Sequence, residues 1–192
     1  MEKKIAKEGR KVRYTKMVLR DSLIELMRKK PFIQISLKEI CALADIGRTT
    51  FYAHYSDQND LLKSIQDETF NQFVAMAEQQ PAKEFSQRIL TSRGEKLLNY
   101  IAENKDSIQV LLSENGDINF QKKFISYLID NGKQMIKYIN KDIVDEKIER
   151  TYSVFFINGS VAIIQDWLKN GMDIPISEMI KIVFRLLNGV YR

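Results

Sequence analysis

The chain has 192 residues, 44% of them hydrophobic and 29% charged, with a net charge of +5, which excludes a globally disordered chain and allows one or two folded domains. Its one cysteine, Cys41, and one histidine, His54, exclude an internal disulfide framework and the Cys- or His-rich metal motifs. The charged start has no apolar segment after it, and the longest apolar stretch, 154–168, is too short for a bilayer, so we expect a cytoplasmic protein that does not cross a membrane.

The spacing of the apolar residues predicts an all-α fold of about nine helices. No segment alternates apolar and polar residues over the length of a strand, and three-four spacing is found throughout. The first helix is expected at about 14–29, because its apolar residues fill one stripe and Pro31 ends it.

The start of the second helix is marked by Ser36 and Glu39. Their spacing is that of a capping box, in which each side chain bonds to the backbone N–H of the other residue. We expect the helix to begin directly after this cap, with three residues on its buried side: Ile40, Leu43 and Ala44.

A short turn at 45–47 and a third helix of about eight residues from Arg48 complete a predicted helix-turn-helix. Phe51 and Tyr55 lie one turn apart and are expected to face inward. Thr49, Thr50, Tyr52 and Ala53 then face away from the core.

A long fourth helix is expected at about 59–80, followed by helices near 92–104, 106–114, 117–140, 143–170 and 176–190. We therefore divide the chain into an N-terminal arm and helix-turn-helix domain, 1–58, and a helical regulatory and dimerisation domain, 59–192. The helix at 59–80 connects the two domains.

The predicted eighth helix is apolar on nearly all sides, since ten of the fifteen residues in 154–168 are apolar. Such a helix is buried on several sides, in a core or against another subunit. Gly159 lies near its middle, where glycine costs about 1 kcal/mol relative to alanine, so we expect it to allow a second helix to approach closely.

Basic charge is concentrated in the first third of the chain. Residues 1–66 carry 14 Lys and Arg against 8 Asp and Glu, whereas the other 126 residues carry 16 against 17. Clustered positive charge next to a helix-turn-helix indicates a nucleic-acid-binding end. A basic, solvated N-terminal tail without a partner is the simpler alternative.

The exposed residues of the third helix suit the major groove of DNA. Arg48 can donate two hydrogen bonds to guanine, Thr49 and Thr50 can contact bases or thymine methyls, and Tyr52 ends in a hydroxyl. Further contacts to phosphate are expected from residues around this helix, namely Ser36 with the first N–H groups of the second helix, His54, Lys16, Lys38 and Lys63.

The stretch "ISLKEICALADIGRTTFYAHYSDQNDLL" resembles the TetR family of bacterial transcriptional regulators. The matching elements are the cap at 36–40, the Ala44-x-Ile46 turn, Thr50-Phe51-Tyr52 and Asp60-Leu61-Leu62. The match is strong over 14–66, while the stretch "FFINGSVAIIQDWLKNGM" is similar to a subgroup common in Gram-positive bacteria.

The resemblance implies a homodimer that places its third helices in successive major grooves of a palindromic double-stranded DNA operator, and an unknown small-molecule effector. By position, it assigns base contacts to Arg48, Thr49 and Thr50. Phosphate contacts are implied for Ser36, His54 and Tyr55, while Tyr52 would touch base or backbone. Gln58 stands where relatives often carry a phosphate-binding Lys, and Gly47 where they often have Ser, so these contacts are expected to be weaker or shifted.

The last two helices are implied to form the dimer interface, with these residues in it: Phe155, Gly159, Ile163, Trp167, Ile180, Phe184 and Leu187. The residues of an effector pocket are not identifiable, because core and pocket aromatics look alike in one sequence. No metal or cofactor is expected.

The function expected from these features is that of a repressor whose DNA binding is relieved by a small molecule. Two other classes of function stay open beside it. One is a helical regulator controlled by a protein partner and not by a small ligand. The other is a small all-α enzyme, but the sequence has no phosphate-cradling Gly loop, and a Cys41–His54 pair lacks an orienting or oxyanion group. Trp167 has a second possible role, lining a ligand cavity.

Overall fold

The computed structural model describes residues 2–78, 86–139 and 145–189, and within these ranges the chain forms nine α-helices and no strand. The helices are α1 (Glu2–Met27), α2 (Leu37–Ala44), α3 (Arg48–Tyr52), α4 (Gln58–Glu78), α5 (Gln87–Glu103), α6 (Lys105–Leu111), α7 (Ile118–Ile139), α8 (Glu146–Lys169) and α9 (Ile176–Gly189), with a 3-10 turn at Phe32–Gln34 between α1 and α2. The predicted all-α fold is therefore confirmed. The predicted ends of the fourth, seventh and ninth helices and the start of the eighth lie outside the described residues.

Several helix boundaries differ from the prediction, among them the start of α1, the end of α3, the start of α5 and the end of α6, at Leu111 and not at 114. Helix α1 begins at Glu2 and not near residue 14. Residues 2–13 lack an apolar stripe, but they include strong helix formers (Lys, Glu, Ala, Arg), which extend the helix toward the N-terminus. Helix α3 ends at Tyr52, where the His54 N–H donates to the Phe51 carbonyl (2.9 Å) in a tighter turn. Helix α5 begins at Gln87, capped by the Ser86 hydroxyl.

Helices α1, α2 and α3 pack around one apolar centre with the start of α4. Its most completely buried side chains are Leu19, Leu23, Met27, Ile35, Ile40, Phe51 and Leu61. The inward orientation of Phe51 and Tyr55 is confirmed. The prediction for Leu43 is wrong: it is 48% exposed, and Cys41 takes its place on the buried side of α2, because the face toward α1 runs through 40, 41 and 44.

Helix α4 contributes buried side chains both to the core of the N-terminal helices and to that of the C-terminal helices. Its start is capped by Asp57 and Asp60, whose carboxylates accept the Asp60 and Ser56 backbone N–H groups (2.8 and 2.9 Å). Further along, the Phe73 and Phe124 rings lie 4.6 Å apart between centroids, within a cluster of aromatic side chains from α4 and α7. The buried side chains of both halves therefore form one connected cluster.

In the C-terminal half, α7 packs along α8, α5 packs along α9, and α6 lies among α1, α4 and α8. Trp167 is buried, and its indole N–H donates to the Ile174 carbonyl (2.8 Å) of the same subunit. Ile180 is also buried, on the side of α9 that meets Gly94 of α5. This burial does not support the inclusion of Trp167 and Ile180 in the dimer interface, because these side chains leave almost no surface for a partner to cover.

The N-terminal helices are tied to the connection between α6 and α7. The Phe32 N–H donates to the Asn115 carbonyl (3.1 Å), and the Gln66 side-chain amide donates to the Asp117 carboxylate (3.3 Å). A second tie reaches α6, where Arg28 pairs with Asp106. These contacts hold α6 and the α6–α7 connection against the end of α1, the 3-10 turn and α4.

Gly116 allows the α6–α7 connection to close tightly on the end of α6. A Cβ at this position would lie 2.4 Å from the Leu111 carbonyl oxygen and 2.9 Å from that of Val110. Both are backbone atoms, which cannot move aside as a flexible side chain can. The turn that presents Asn115 and Asp117 to the N-terminal helices therefore requires glycine.

We expect Gly116→Ala to lower the free energy of unfolding by about 1–3 kcal/mol, because the added methyl group forces the turn away from α6. Denaturant unfolding at one protein concentration measures this. Gly94→Ala is the matched control: its Cβ would lie 3.9 Å from Ile180 and Phe184, an ordinary contact, within helix α5. Equal stability of Gly116→Ala and wild type would contradict the close approach.

Candidate nucleic-acid interface

Helix α3 presents a polar face while one aromatic side chain anchors it. Arg48, Thr49, Thr50 and Tyr52 are all exposed, whereas Phe51 between them is completely buried. Tyr52 is 57% exposed, and its ring meets the edge of Phe51 at 5.8 Å between centroids. The structure thus brings together four of the predicted DNA-contacting residues on one outward surface.

The turn before α3 contains an acidic residue that the sequence analysis did not weigh. Asp45 ends α2 in the left-handed conformation (φ 52°) and is exposed. Together with Lys38 and Arg48 it lines a shallow cavity of about 360 Å³ between α2 and α3. The only signal in the sequence was its place in the "DIG" turn. A carboxylate here places negative charge beside the residues expected to meet phosphate.

Gly47 caps α3 without a side chain. Its φ is −65°, no side-chain hydrogen bond closes the cap, and a Cβ would meet nothing within 4 Å. A serine, which relatives often carry, would therefore fit at this position. Glycine here reflects no steric requirement within the subunit.

The capping box at the start of α2 is confirmed. The Glu39 N–H donates to the Ser36 hydroxyl oxygen (3.3 Å), while the Glu39 carboxylate accepts from the Ser36 N–H and hydroxyl (2.9 Å each). The Lys30 ammonium donates to the same carboxylate (2.7 Å). Lys30, and then the two Ser36 groups, hold the pKa of Glu39 at about 2. The hydroxyl proton of Ser36 is engaged within the cap, although the residue is exposed.

Tyr55 is placed in the core. It is 7% exposed, its ring lies 5.8 Å from that of Phe51, and the Lys16 ammonium sits 5.8 Å from its centroid. Burial raises the pKa of its phenol, partly offset by a hydrogen bond with Ser64 on α4. Tyr55 therefore joins α3 to α4, and such burial does not support its inclusion among the phosphate contacts.

The remaining predicted contacts surround α3 at different depths. Lys38 and Lys63 are exposed, whereas His54 and Gln58 are half-buried, with Gln58 as the first residue of α4. The basic segment before the core is helical, and four of its side chains are exposed: Arg10, Lys11, Arg13 and Lys16.

Apolar side chains on α8 and α9, here called the α8–α9 surface, are also left exposed within the subunit. Phe155 is 65% exposed, and a Cβ at Gly159 would meet nothing within 4 Å. Ile163 and Phe184 are half-buried, and the Leu187 side chain lies outside the described residues. Sequence analysis missed Ile148, Val154 and Leu186, which are 51%, 39% and 49% exposed. Their helical spacing alone did not separate them from core residues.

The helix-turn-helix at the N-terminus and the helical C-terminal half define a transcriptional regulator of the helix-turn-helix class. The model of a TetR-type transcriptional regulator C-terminal region matches residues 90–189, slightly more than half of the chain. The chain belongs to the TetR family of transcriptional regulators.

Solved structures share this fold at low sequence identity. A TetR transcriptional regulator from Streptococcus agalactiae 2603V is 22% identical with a TM-score of 0.65, covering 98% of this chain and 99% of that one. A TetR-like regulator from Rhodococcus sp. RHA1 is 14% identical with a TM-score of 0.69, covering 90% and 93%. The fatty acid degradation regulator FadR from Bacillus halodurans is 16% identical with a TM-score of 0.61, covering 91% and 98%. No curated protein sequence matches significantly.

Two kinds of feature are absent from the described ranges. No helix there is both long and apolar enough to cross a bilayer. In the same ranges, no three or more His, Cys, Asp or Glu side chains are arranged to hold a metal ion.

The low pKa of Glu39 makes the cap sensitive to acid. A carboxyl group whose pKa is lower in the folded state than in the unfolded state stabilises the fold at any pH above its ordinary pKa, 4.5. This contribution is lost as the pH falls from 4.5 toward the folded-state pKa of about 2. We therefore expect wild type to be more stable than Glu39→Gln near neutral pH, with the difference shrinking through this range. Thermal unfolding at a series of pH values measures it. Glu103→Gln, at an exposed site outside the cap, controls for general effects of acid; a difference independent of pH would contradict the expectation.

Proposed function

We propose that the protein is a dimeric, sequence-specific DNA-binding transcriptional regulator, a repressor that is relieved by a small molecule in its C-terminal domain. The observation that carries this proposal is the polar face of α3. Arg48, Thr49, Thr50 and Tyr52 are exposed together while Phe51 holds the helix down. A helix that only packed against its neighbours would not need such a face.

The chemistry of this face matches the edges of bases in the major groove. The Arg48 guanidinium can donate two parallel hydrogen bonds to guanine, and the methyl groups of Thr49 and Thr50 suit the thymine methyl group. Lys38 and Lys63 lie on elements next to α3, where they would contact phosphates and fix its register. The basic helical segment before residue 14 adds positive charge to the same half of the chain.

We expect the purified protein to bind DNA from upstream of its own gene more tightly than a scrambled duplex, as measured by fluorescence anisotropy. The double variant Arg48→Ala/Tyr52→Ala should lose at least about tenfold in affinity, since one bidentate base contact is worth about 1–3 kcal/mol. Arg88→Ala, an exposed arginine on α5, is the matched control and should bind as wild type does.

Salt dependence separates the alternatives. A DNA complex releases counterions, so log K should fall with log salt by about 0.9 per phosphate contacted. Equal binding to both duplexes would mean either that the protein binds DNA without sequence specificity or that its operator is not in the DNA tested. No binding at low salt would favour the second candidate, a helical regulator controlled by a protein partner.

We further propose that the α8–α9 surface joins two subunits. Phe155 and Gly159 are open on the same helix, and the bare backbone at Gly159 would let a partner helix approach closely. Within the subunit this glycine serves no packing purpose, since its Cβ position is empty.

Gly159→Ala tests this surface. We expect it to raise the dimer dissociation constant by about tenfold, because the added methyl group must be accommodated by the partner helix. Sedimentation equilibrium measures the change. Gly9→Ala, within helix α1 and also with nothing near its Cβ position, gains the same helix propensity and should leave the dimer unchanged. A monomeric wild type, or an unchanged dimer in Gly159→Ala, would contradict this placement.

The position of α4, which has buried residues in both halves of the core, supports the proposed effector control. A ligand in the C-terminal domain that prefers a different placement of α4 would move the two α3 helices off a separation of about 34–36 Å, one turn of DNA. The ligand must bind the two arrangements unequally, or it shifts nothing.

A further inference from the structure

A cleft of about 760 Å³ lies between the two halves of the chain, and one of its lining residues, Lys63, is also among the expected phosphate contacts. One wall is formed by 31–33 and the first turns of α4. The other is formed by the α6–α7 connection and the first turns of α7. Its volume is within the range of small-molecule sites, about 300–1,000 Å³.

The walls of this cleft expose apolar side chains to water. Ile33 is 88% exposed and Ile118 is 58% exposed, one from each wall, and Phe32, Leu62 and Phe120 line the space between them. Ile33 stands on an ordered 3-10 turn, Phe32–Gln34, and is the most exposed large apolar side chain among the described residues. A molecule with an apolar body would remove both isoleucines from water.

The charges on the cleft favour a cation. Three carboxylates line it, on Asp67, Glu114 and Asp117, against the ammonium groups of Lys63 and Lys123. Lys123 and Asp67 are engaged with each other at 4.0 Å, and the Lys123 ammonium also lies 4.2 Å from the centroid of the Phe70 ring. The Asp117 carboxylate accepts the Asn119 backbone N–H (2.8 Å) and the Gln66 amide (3.3 Å) but keeps its negative charge. Glu114 makes no hydrogen bond or ion pair with the described residues. The cleft is thus net negative on a chain whose net charge is +5.

We propose that this cleft binds a small organic cation, with an apolar body between Ile33 and Ile118 and an ammonium group at the carboxylate edge. The two walls come from different halves and are held together by the Phe32–Asn115 and Gln66–Asp117 hydrogen bonds. A molecule that touches both walls favours this arrangement of the two halves over any other. The proposal does not depend on DNA binding, and its site lies at the junction of the halves.

The exposed isoleucines supply the test. The full-length protein is labelled with carbon-13 at isoleucine δ-methyl groups, and the signals of the two cleft residues are assigned with Ile33→Val and Ile118→Val. Three probes share one body and differ in the head group: phenylbutylammonium, phenylbutanol and phenylbutyrate. We expect the ammonium compound to shift both signals saturably, with a Kd on the order of 1 mM and about tenfold tighter than that of the carboxylate.

Glu114→Gln should reduce the preference for the ammonium compound, whereas Glu95→Gln, an exposed carboxylate on α5, should leave it unchanged. The site would be overturned if neither isoleucine signal shifts saturably up to about ten times the expected Kd. The assignment of a cation would be overturned if phenylbutyrate bound as tightly as phenylbutylammonium. The titration contains no DNA, so its result is independent of the DNA-binding proposal.

Discussion

The burial of Phe51 is the contact on which the proposed reading surface depends. Helix α3 has five residues, far fewer than an isolated helix needs to be stable in water. Its geometry is therefore set by tertiary packing, through a completely buried Phe51 and through Tyr55, which follows the helix and packs against the same ring. Loss of this anchor would release Arg48 and Tyr52 from a common surface, since Tyr52 packs its ring against Phe51.

The second constraint is the sharing of α4 by both halves. Because its side chains enter the N-terminal core and the aromatic cluster with Phe124, a change in either half reaches the other through a packed helix. The hydrogen bonds from Phe32 and Gln66 to the α6–α7 connection add a tie parallel to α4. Together with the Arg28–Asp106 pair, they attach the two halves at several points beside the cleft.

The polar side chains of α2 and α3 differ in whether they are hydrogen-bonded within the subunit. Ser36 and Glu39 satisfy each other and Lys30, so the start of α2 is rigid and its carboxylate stays ionised far into acid. On α3 the exposed side chains make no such closed network; at its N-terminus Gly47 contributes no cap. Groups left unsatisfied by the fold are available to a ligand, whereas groups closed within a cap chiefly serve stability.

Local features were predictable from sequence alone. The all-α fold, the Ser36 cap, the helix-turn-helix and the inward side of Phe51 follow from periodicity and from side-chain bonds three or four residues apart. The family was also evident, because its matching residues lie in one continuous stretch. Helix ends without an apolar stripe, as at Glu2, were missed because periodicity has no signal there.

What only the tertiary structure decided is which neighbour covers each apolar residue. Leu43, Trp167 and Tyr55 have ordinary helical spacing, yet the first is exposed, the second is buried within its own subunit and the third joins two helices. The cleft and the need for glycine at Gly116 likewise arise from segments that are distant or turned back on themselves. A helical pattern defines a face, but burial depends on the partner that meets that face, and the partner is chosen by the packing of the whole chain.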